Sequence, residues 1–134
     1  MKKHPIYTYL FIGILIVGFF WLVLIRPFLL RNNISAFFIA DCMPNFLAVI
    51  ILTFGTMTLP KNQNSKGIFK KTVTFTGSMI TYEFMQLIIP GRVFDYKDII
   101  ASVLGGIFTY LILTLTNRII IKRPLKTLSW PLIK

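Results

Sequence analysis

Long apolar segments alternate with short polar stretches along this chain, and the pattern predicts four membrane-spanning helices. A helix needs about 20 apolar residues to cross a bilayer core of about 30 Å. The apolar segments approach or exceed that length, and they cover residues 6–25, 34–59, 72–90 and 99–116. We therefore expect an all-α membrane protein, in which residues 1–134 form a single domain with an antiparallel up-and-down bundle of four helices.

The second segment is the least regular of the four, because Asp41, Pro44 and Asn45 interrupt it. Its helix is expected to begin either near Ile34 or near Asp41. In the second case the residues before Asp41 would lie at the membrane surface. The stretch 60–71 combines turn-forming residues with lysines and predicts a polar loop.

Composition and charge agree with a membrane protein and indicate its orientation. The chain is 55% hydrophobic and 14% charged, with a mean hydropathy of +0.73, whereas soluble domains carry about 25% charged residues. Eleven of the 15 Lys and Arg residues lie in the N-terminus, the 60–71 loop and the tail 117–134. The positive-inside rule places these three parts, and with them both termini, in the cytoplasm. The net charge of +11 is thereby explained without a nucleic-acid partner.

Single cysteine and histidine residues exclude several kinds of chemistry within the chain. Cys42 is the only cysteine and His4 the only histidine. An intramolecular disulfide, a Cys/His zinc site and a Ser-His or Cys-His catalytic pair are therefore excluded. Cys42 is interpreted as a buried apolar filler.

Acidic and amide side chains gather near the predicted outer ends of the helices. Glu83 lies seven residues before Pro90, so we expect it about 10 Å below the outer end of the third helix. Gln86 shares its face. If the second helix begins at Ile34, Asp41 reaches a similar depth, and Asn45 lies one turn deeper. Because charges are costly inside a membrane, these side chains should face protein or water.

The connection between the third and fourth segments carries further candidate residues. Pro90 and Gly91 predict a turn that ends a helix. Asp98 is expected to cap the fourth helix, and Asp95 to stabilise the turn. Small residues that would allow close helix packing are Gly77, Ala101, Gly105 and Gly106.

The segment Tyr82–Leu113, with the sequence YEFMQLIIPGRVFDYKDIIASVLGGIFTYLIL, resembles the core motif of the VanZ-like family. The matching positions are Glu83, Gln86, Pro90, Gly91, Arg92, Asp95, Asp98 and Gly105. The sequence DCMPNFLA from Asp41 resembles a weaker upstream element of the same family. Asn45 stands where members often carry His, and Ser102 where they often carry Asn. The resemblance implies a small protein of the bacterial cytoplasmic membrane, and the founding member is associated with low-level resistance to teicoplanin.

Each candidate residue has a structural and a functional interpretation. Glu83 and Gln86 form either an interhelical hydrogen-bond clamp or a buried carboxylate that donates or relays a proton. Arg92 forms either a salt bridge to Asp95 or Asp98, or a clamp for an anionic ligand group. No cofactor is expected, the alternative being a divalent cation held by Asp95, Asp98 and Glu83.

Three functions follow, in order of preference. The first is a non-enzymatic protein whose outward polar pocket binds an envelope component or a glycopeptide antibiotic. Its candidate ligand-binding residues are Asp41, Asn45, Glu83, Gln86, Arg92, Asp95, Asp98 and Ser102. The second is an enzyme acting on a lipid-linked envelope precursor, with Glu83, Asp95 and Asp98 as candidate catalytic groups. The third is an oligomeric transporter or scaffold subunit.

Overall fold

All described elements are helices connected by turns. The computed structural model describes residues 5–32, 37–59 and 64–122, and no strand occurs within these ranges. The helices are α1 (Pro5–Phe20), α2 (Arg26–Arg31), α3 (Phe37–Met57), α4 (Ser65–Gln86) and α5 (Tyr96–Lys122). A π-helical stretch at Trp21–Ile25 joins α1 to α2, so that these form one continuous helix. The all-α prediction is thereby confirmed.

Three of the helices are long and apolar enough to cross a membrane. They comprise Pro5–Arg31, Ala40–Met57 within α3 and Tyr96–Ile119 within α5. Large apolar side chains of these helices remain exposed, for example Val17, Phe19 and Leu104. Exposure of such a large apolar surface to water would be unfavourable and would promote aggregation, whereas contact with lipid acyl chains is not unfavourable. The chain is therefore a membrane protein.

The helix α4 differs from the segment predicted at 72–90. It begins at Ser65 because the Asn64 side chain caps it, with Oδ1 accepting from the backbone N of Gly67 at 2.8 Å. Lys66, Lys70 and Lys71 of the predicted loop thus lie in its first two turns, and α4 is not among the helices apolar enough to span. It ends at Gln86, one turn before Pro90.

The described part of α3 begins at Phe37, before Asp41, and the other predicted starting point, Ile34, lies outside the described residues. Asp41 consequently lies in its second turn. Pro44 lies inside the helix, where it has no N–H to donate to the carbonyl of Ala40. The helix nonetheless continues to Met57, and its later residues supply much of the core.

The helix α3 is central, since it packs against α1, α4 and α5, and α4 packs against α5 in turn. The apolar core lies where the start of α1, the end of α3 and the start of α4 meet. Its buried members are Tyr7, Ile50, Phe54, Met57, Ile68 and Leu113. The opposite end, where α3 and α5 begin and α4 ends, carries the polar residues described next.

Candidate functional site

A buried carboxylate, that of Glu83, is the centre of the polar end. Only 1% of this residue is exposed. Its Oε1 accepts a hydrogen bond from Nδ2 of Asn45 at 2.9 Å, and its Oε2 accepts from Nε2 of Gln86 at 2.8 Å. Asn45 belongs to α3 and Gln86 to α4 itself, so the first bond joins two helices. Because α4 ends at Gln86, Glu83 lies in its last turn, and the predicted depth of about 10 Å below the helix end is wrong.

A second carboxylate, that of Asp98 in the first turn of α5, lies against this pair. Its side chain interacts with the Cys42 thiol and the Asn45 amide. It is also close enough to Glu83 for the two carboxylates to repel each other. The Oδ1 atom of Asp98 is buried and has no hydrogen-bond partner among the residues that the structure describes. Three helices thus bring polar groups to the same place.

Cys42 is a member of the site that the sequence analysis missed. Its side chain is buried, with 3% exposed, and its thiol interacts with Asp98. The spacing to Asn45 was the available signal, since residues three apart share a helix face. Cys42 is therefore a contact of the acidic group and not only an apolar filler.

The roles predicted for Asp95 and Asp98 are different in the structure. Asp95 directly precedes α5, and its Oδ1 accepts a hydrogen bond from the backbone N of Lys97 at 2.9 Å. Its backbone O accepts from the backbone N of Asp98 at 3.1 Å. Asp95 is thus the N-cap of the helix. The prediction that Asp98 is the cap is wrong, and the Asp98 side chain is left to face α3 and α4.

Asp41 lies at the rim of this group. It is exposed, so it does not share the burial of Glu83. It remains close enough to Asp98 and Cys42 for electrostatic interaction. We define the polar cluster as Asp41, Cys42, Asn45, Glu83, Gln86, Asp95 and Asp98. It contains all four acidic residues of the chain.

The predicted turn between α4 and α5 is confirmed. The backbone N of Arg92 donates to the carbonyl O of Ile89 at 3.3 Å, and Gly91 has a φ of 80°. Proline at the second position and a positive φ at the third define a type II turn. Glycine is required here because a side chain would be strained at this φ. The Arg92 side chain is exposed and makes no ion pair with Asp95 or Asp98, which leaves it outside the polar cluster.

Ser102 is fully buried and is turned toward its own helix. Its Oγ donates to the backbone O of Asp98 at 2.9 Å, in the manner common for serine within a helix. The Ser102 hydroxyl thus donates its hydrogen bond within α5. Ser102 supports the first turn of α5, and its role in ligand binding stays a prediction.

Gly105 and Gly106, two of the four predicted packing residues, make close helix contacts. A Cβ on Gly105 would lie 2.7 Å from the backbone O of Phe46, and one on Gly106 would collide with the Thr76 side chain. Ala101 is buried. Gly77 differs, because nothing lies within 4 Å of its Cβ position, and its predicted packing role is therefore wrong.

The polar cluster is rich in hydrogen-bond acceptors and poor in cations. The partners of Glu83 in the structure are neutral amides. Buried carboxylates without a cation are costly, so the arrangement suits groups that donate hydrogen bonds or carry positive charge. No group of three or more His, Cys, Asp or Glu in the described ranges is arranged to hold a metal ion.

Comparison of the sequence with known protein families identifies the family of this chain. The sequence model of the VanZ/LLP1 family matches residues 9–117, a stretch that includes the entire polar cluster. No curated protein and no solved structure matches the chain. Since the match covers most of the 134 residues, the chain belongs to the VanZ/LLP1 family.

Proposed function

We propose that this VanZ/LLP1 protein lies in the bacterial cytoplasmic membrane and recognises an envelope component or a glycopeptide antibiotic through the polar cluster. The proposal rests above all on the buried Glu83 carboxylate, which is held by two neutral amides. Beside it lies Oδ1 of Asp98, which has no hydrogen-bond partner in the part of the chain that the structure describes. A ligand that donates hydrogen bonds would supply the Oδ1 atom of Asp98 with a donor.

The proposed topology has four spans, with both termini in the cytoplasm. The helix α4 would be the least apolar span, with its lysines at the cytoplasmic end. Two observations support its crossing: it packs along both α3 and α5, and Glu83 is its only charged residue after Lys71. The positive-inside rule then directs the polar cluster outward.

The chemistry of the ligand follows from the charges around the cluster. Hydroxyl, amide and ammonium groups all donate hydrogen bonds to carboxylates, and charged pairs are the stronger ones. Arg92 is exposed beside the cluster, on the turn between α4 and α5. A guanidinium in that position suits a carboxylate or phosphate on the same ligand. Glycopeptides and lipid-linked envelope precursors contain both kinds of group.

The test is the susceptibility of a Gram-positive host to teicoplanin. We expect the wild type to raise resistance, and Asp98→Asn and Arg92→Ala to lose this effect at unchanged membrane abundance and melting temperature. Thr81→Ala is the matched control, because Thr81 is exposed on α4 and its hydroxyl bonds only to the carbonyl O of Gly77. Resistance that persists in both Asp98→Asn and Arg92→Ala, or no effect of the wild type, would contradict the proposal.

One observation favours an enzyme as the second candidate function. Glu83 and Asp98 come from different helices and lie within repulsive range of each other, as do many carboxylate pairs that share acid and base roles. An enzyme of this kind would act on a lipid-linked envelope precursor. Incubation of the purified protein with such a precursor should then release product, and Asp98→Asn should abolish the release. Absence of turnover in the wild type would exclude this alternative.

A further inference from the structure

An apolar groove runs along the outside of the bundle between α4 and α5, away from the polar cluster. Its volume is about 390 Å³. On α4 it extends from Phe69 to Ile80, and on α5 from Val103 to Leu111. At about 1.5 Å per residue its length along α4 is about 16 Å, which is half of a bilayer core of about 30 Å. The groove thus has the length of one membrane leaflet.

Gly77 leaves the groove open. No atom lies within 4 Å of the position that a Cβ would occupy on this residue, and Gly77 is one of the lining residues. A side chain at this point would enter the groove and not the protein. The space is therefore available to a molecule from outside.

Three exposed cations lie at one end of the groove. Lys66 lies three residues before Phe69 and Lys70 three residues before Val73, and both Phe69 and Val73 line the groove. Residues three and four apart are neighbours on a helix surface. Because α5 runs antiparallel to α4, its lining stripe continues toward this end through Thr114 to Arg118, seven residues after Leu111. All four acidic residues of the chain lie in the polar cluster at the opposite end. The positive charge at this end therefore has no acidic side chain nearby to balance it.

We propose that this groove binds an anionic phospholipid, with one acyl chain between α4 and α5 and the phosphate on Lys66, Lys70 and Arg118. The apolar groove matches an acyl chain in length, and the three cations match the charge of the headgroup. Anionic lipids attract basic residues near a membrane surface. By the positive-inside rule the lipid belongs to the cytoplasmic leaflet. The proposal does not depend on the function of the polar cluster.

Native mass spectrometry of the full chain in detergent measures this binding, with phosphatidylglycerol or phosphatidylcholine as the added lipid. We expect the wild type to bind phosphatidylglycerol about tenfold more tightly than phosphatidylcholine. The variant Lys66→Gln/Lys70→Gln/Arg118→Gln should bind both lipids equally. Gly77→Leu, which fills the groove, should weaken the binding of both.

Gly13→Leu is the matched control. Gly13 also has nothing within 4 Å of its Cβ position, and it lines a second apolar groove of about 410 Å³ between α1, α3 and α5. Lipid binding by this variant should equal that of the wild type. Where Gly77→Leu fails to fold, as judged by its melting temperature without lipid, the triple charge variant alone decides the question.

Three results would overturn the proposal. The first is equal binding of the two lipids by the wild type, and the second is an unchanged preference in the triple variant. The third is a wild-type dimer that Gly77→Leu dissociates, because a second copy of the chain would then occupy the groove.

Discussion

Asn45 on α3 donates from Nδ2 to Oε1 of Glu83 on α4 at 2.9 Å, and this bond ties two helices together at the polar end of the bundle. The other oxygen of the same carboxylate is held by Gln86 from within α4. The bond is therefore both a helix clamp and the feature that fixes the Glu83 carboxylate beside Asp98. The same hydrogen bond thus serves both interpretations of Glu83, as an interhelical clamp and as a buried functional carboxylate.

Asn45→Ala should lower the free energy of unfolding by about 1 kcal/mol. The substitution removes an interhelical hydrogen bond and leaves one oxygen of a buried carboxylate without its donor. Thermal unfolding of the purified protein in detergent measures the change. Gln86→Ala should cost less, since Gln86 is half-buried at the helix end. An unaltered melting temperature of Asn45→Ala would show that the bond contributes nothing to stability.

Gly105→Ala should destabilise the protein by about 1–3 kcal/mol. The added methyl group would lie 2.7 Å from the backbone O of Phe46, so α3 and α5 would have to separate. Gly77→Ala is the control in the neighbouring helix, where the added methyl group meets nothing. It should stabilise by about 0.5–1 kcal/mol, because glycine is unfavourable inside a helix. Equal melting temperatures of the two variants would refute the close approach at Gly105.

Asp95→Ala should cost about 1 kcal/mol of stability, through loss of the hydrogen bond to the backbone N of Lys97 at the start of α5. Asp95→Ser retains a capping oxygen and should recover most of this loss. Both changes are read from the melting temperature in detergent. If Asp95→Ser were as unstable as Asp95→Ala, the negative charge of Asp95 and not its capping bond would be the important property.

Gly91→Ala should destabilise the turn before α5 by about 1–2 kcal/mol, because an alanine at a φ of 80° is strained. Gly13→Ala, inside α1 with open space around it, provides a glycine-to-alanine control without that strain. Proteolysis of the turn, followed by mass spectrometry, measures local opening. Equal cleavage rates in the two variants would show that the turn tolerates a side chain.

Labelling of single cysteines with a membrane-impermeant maleimide tests the four-span topology. In a Cys42→Ser background, Val93→Cys should be labelled on intact cells, and Ser65→Cys only after permeabilisation. Both positions are exposed in the protein and lie at opposite ends of α4. If both were labelled under the same condition, α4 would not cross the membrane, and a three-span arrangement of the apolar helices would replace the proposal.

Hydrophobic patterning was sufficient to predict helices and a membrane location, and the backbone preferences of Pro90 and Gly91 were sufficient to predict the turn. Residue spacing was also sufficient to place Gln86 on the same helix face as Glu83, because residues three and four apart share a face. The start of α4 was missed, because its Asn64 cap lies in a stretch whose lysines suggested a loop. A cluster of lysines occurs both in loops and in the first turns of a helix, so charge alone could not show that α4 had already begun there.

The sequence by itself determined that the chain is apolar enough to lie in a membrane and that its few acids occur near one end of the helices. Tertiary structure decided which of these residues touch. The Asp98 side chain faces Cys42 and Asn45, and Asp95 is the helix cap in its place. The Ser102 hydroxyl bonds to its own helix. Gly105, but not Gly77, lies against the backbone of another helix. The physical reason is that spacing defines the faces of a helix, whereas the rotation and crossing of packed helices decide which face meets a neighbour.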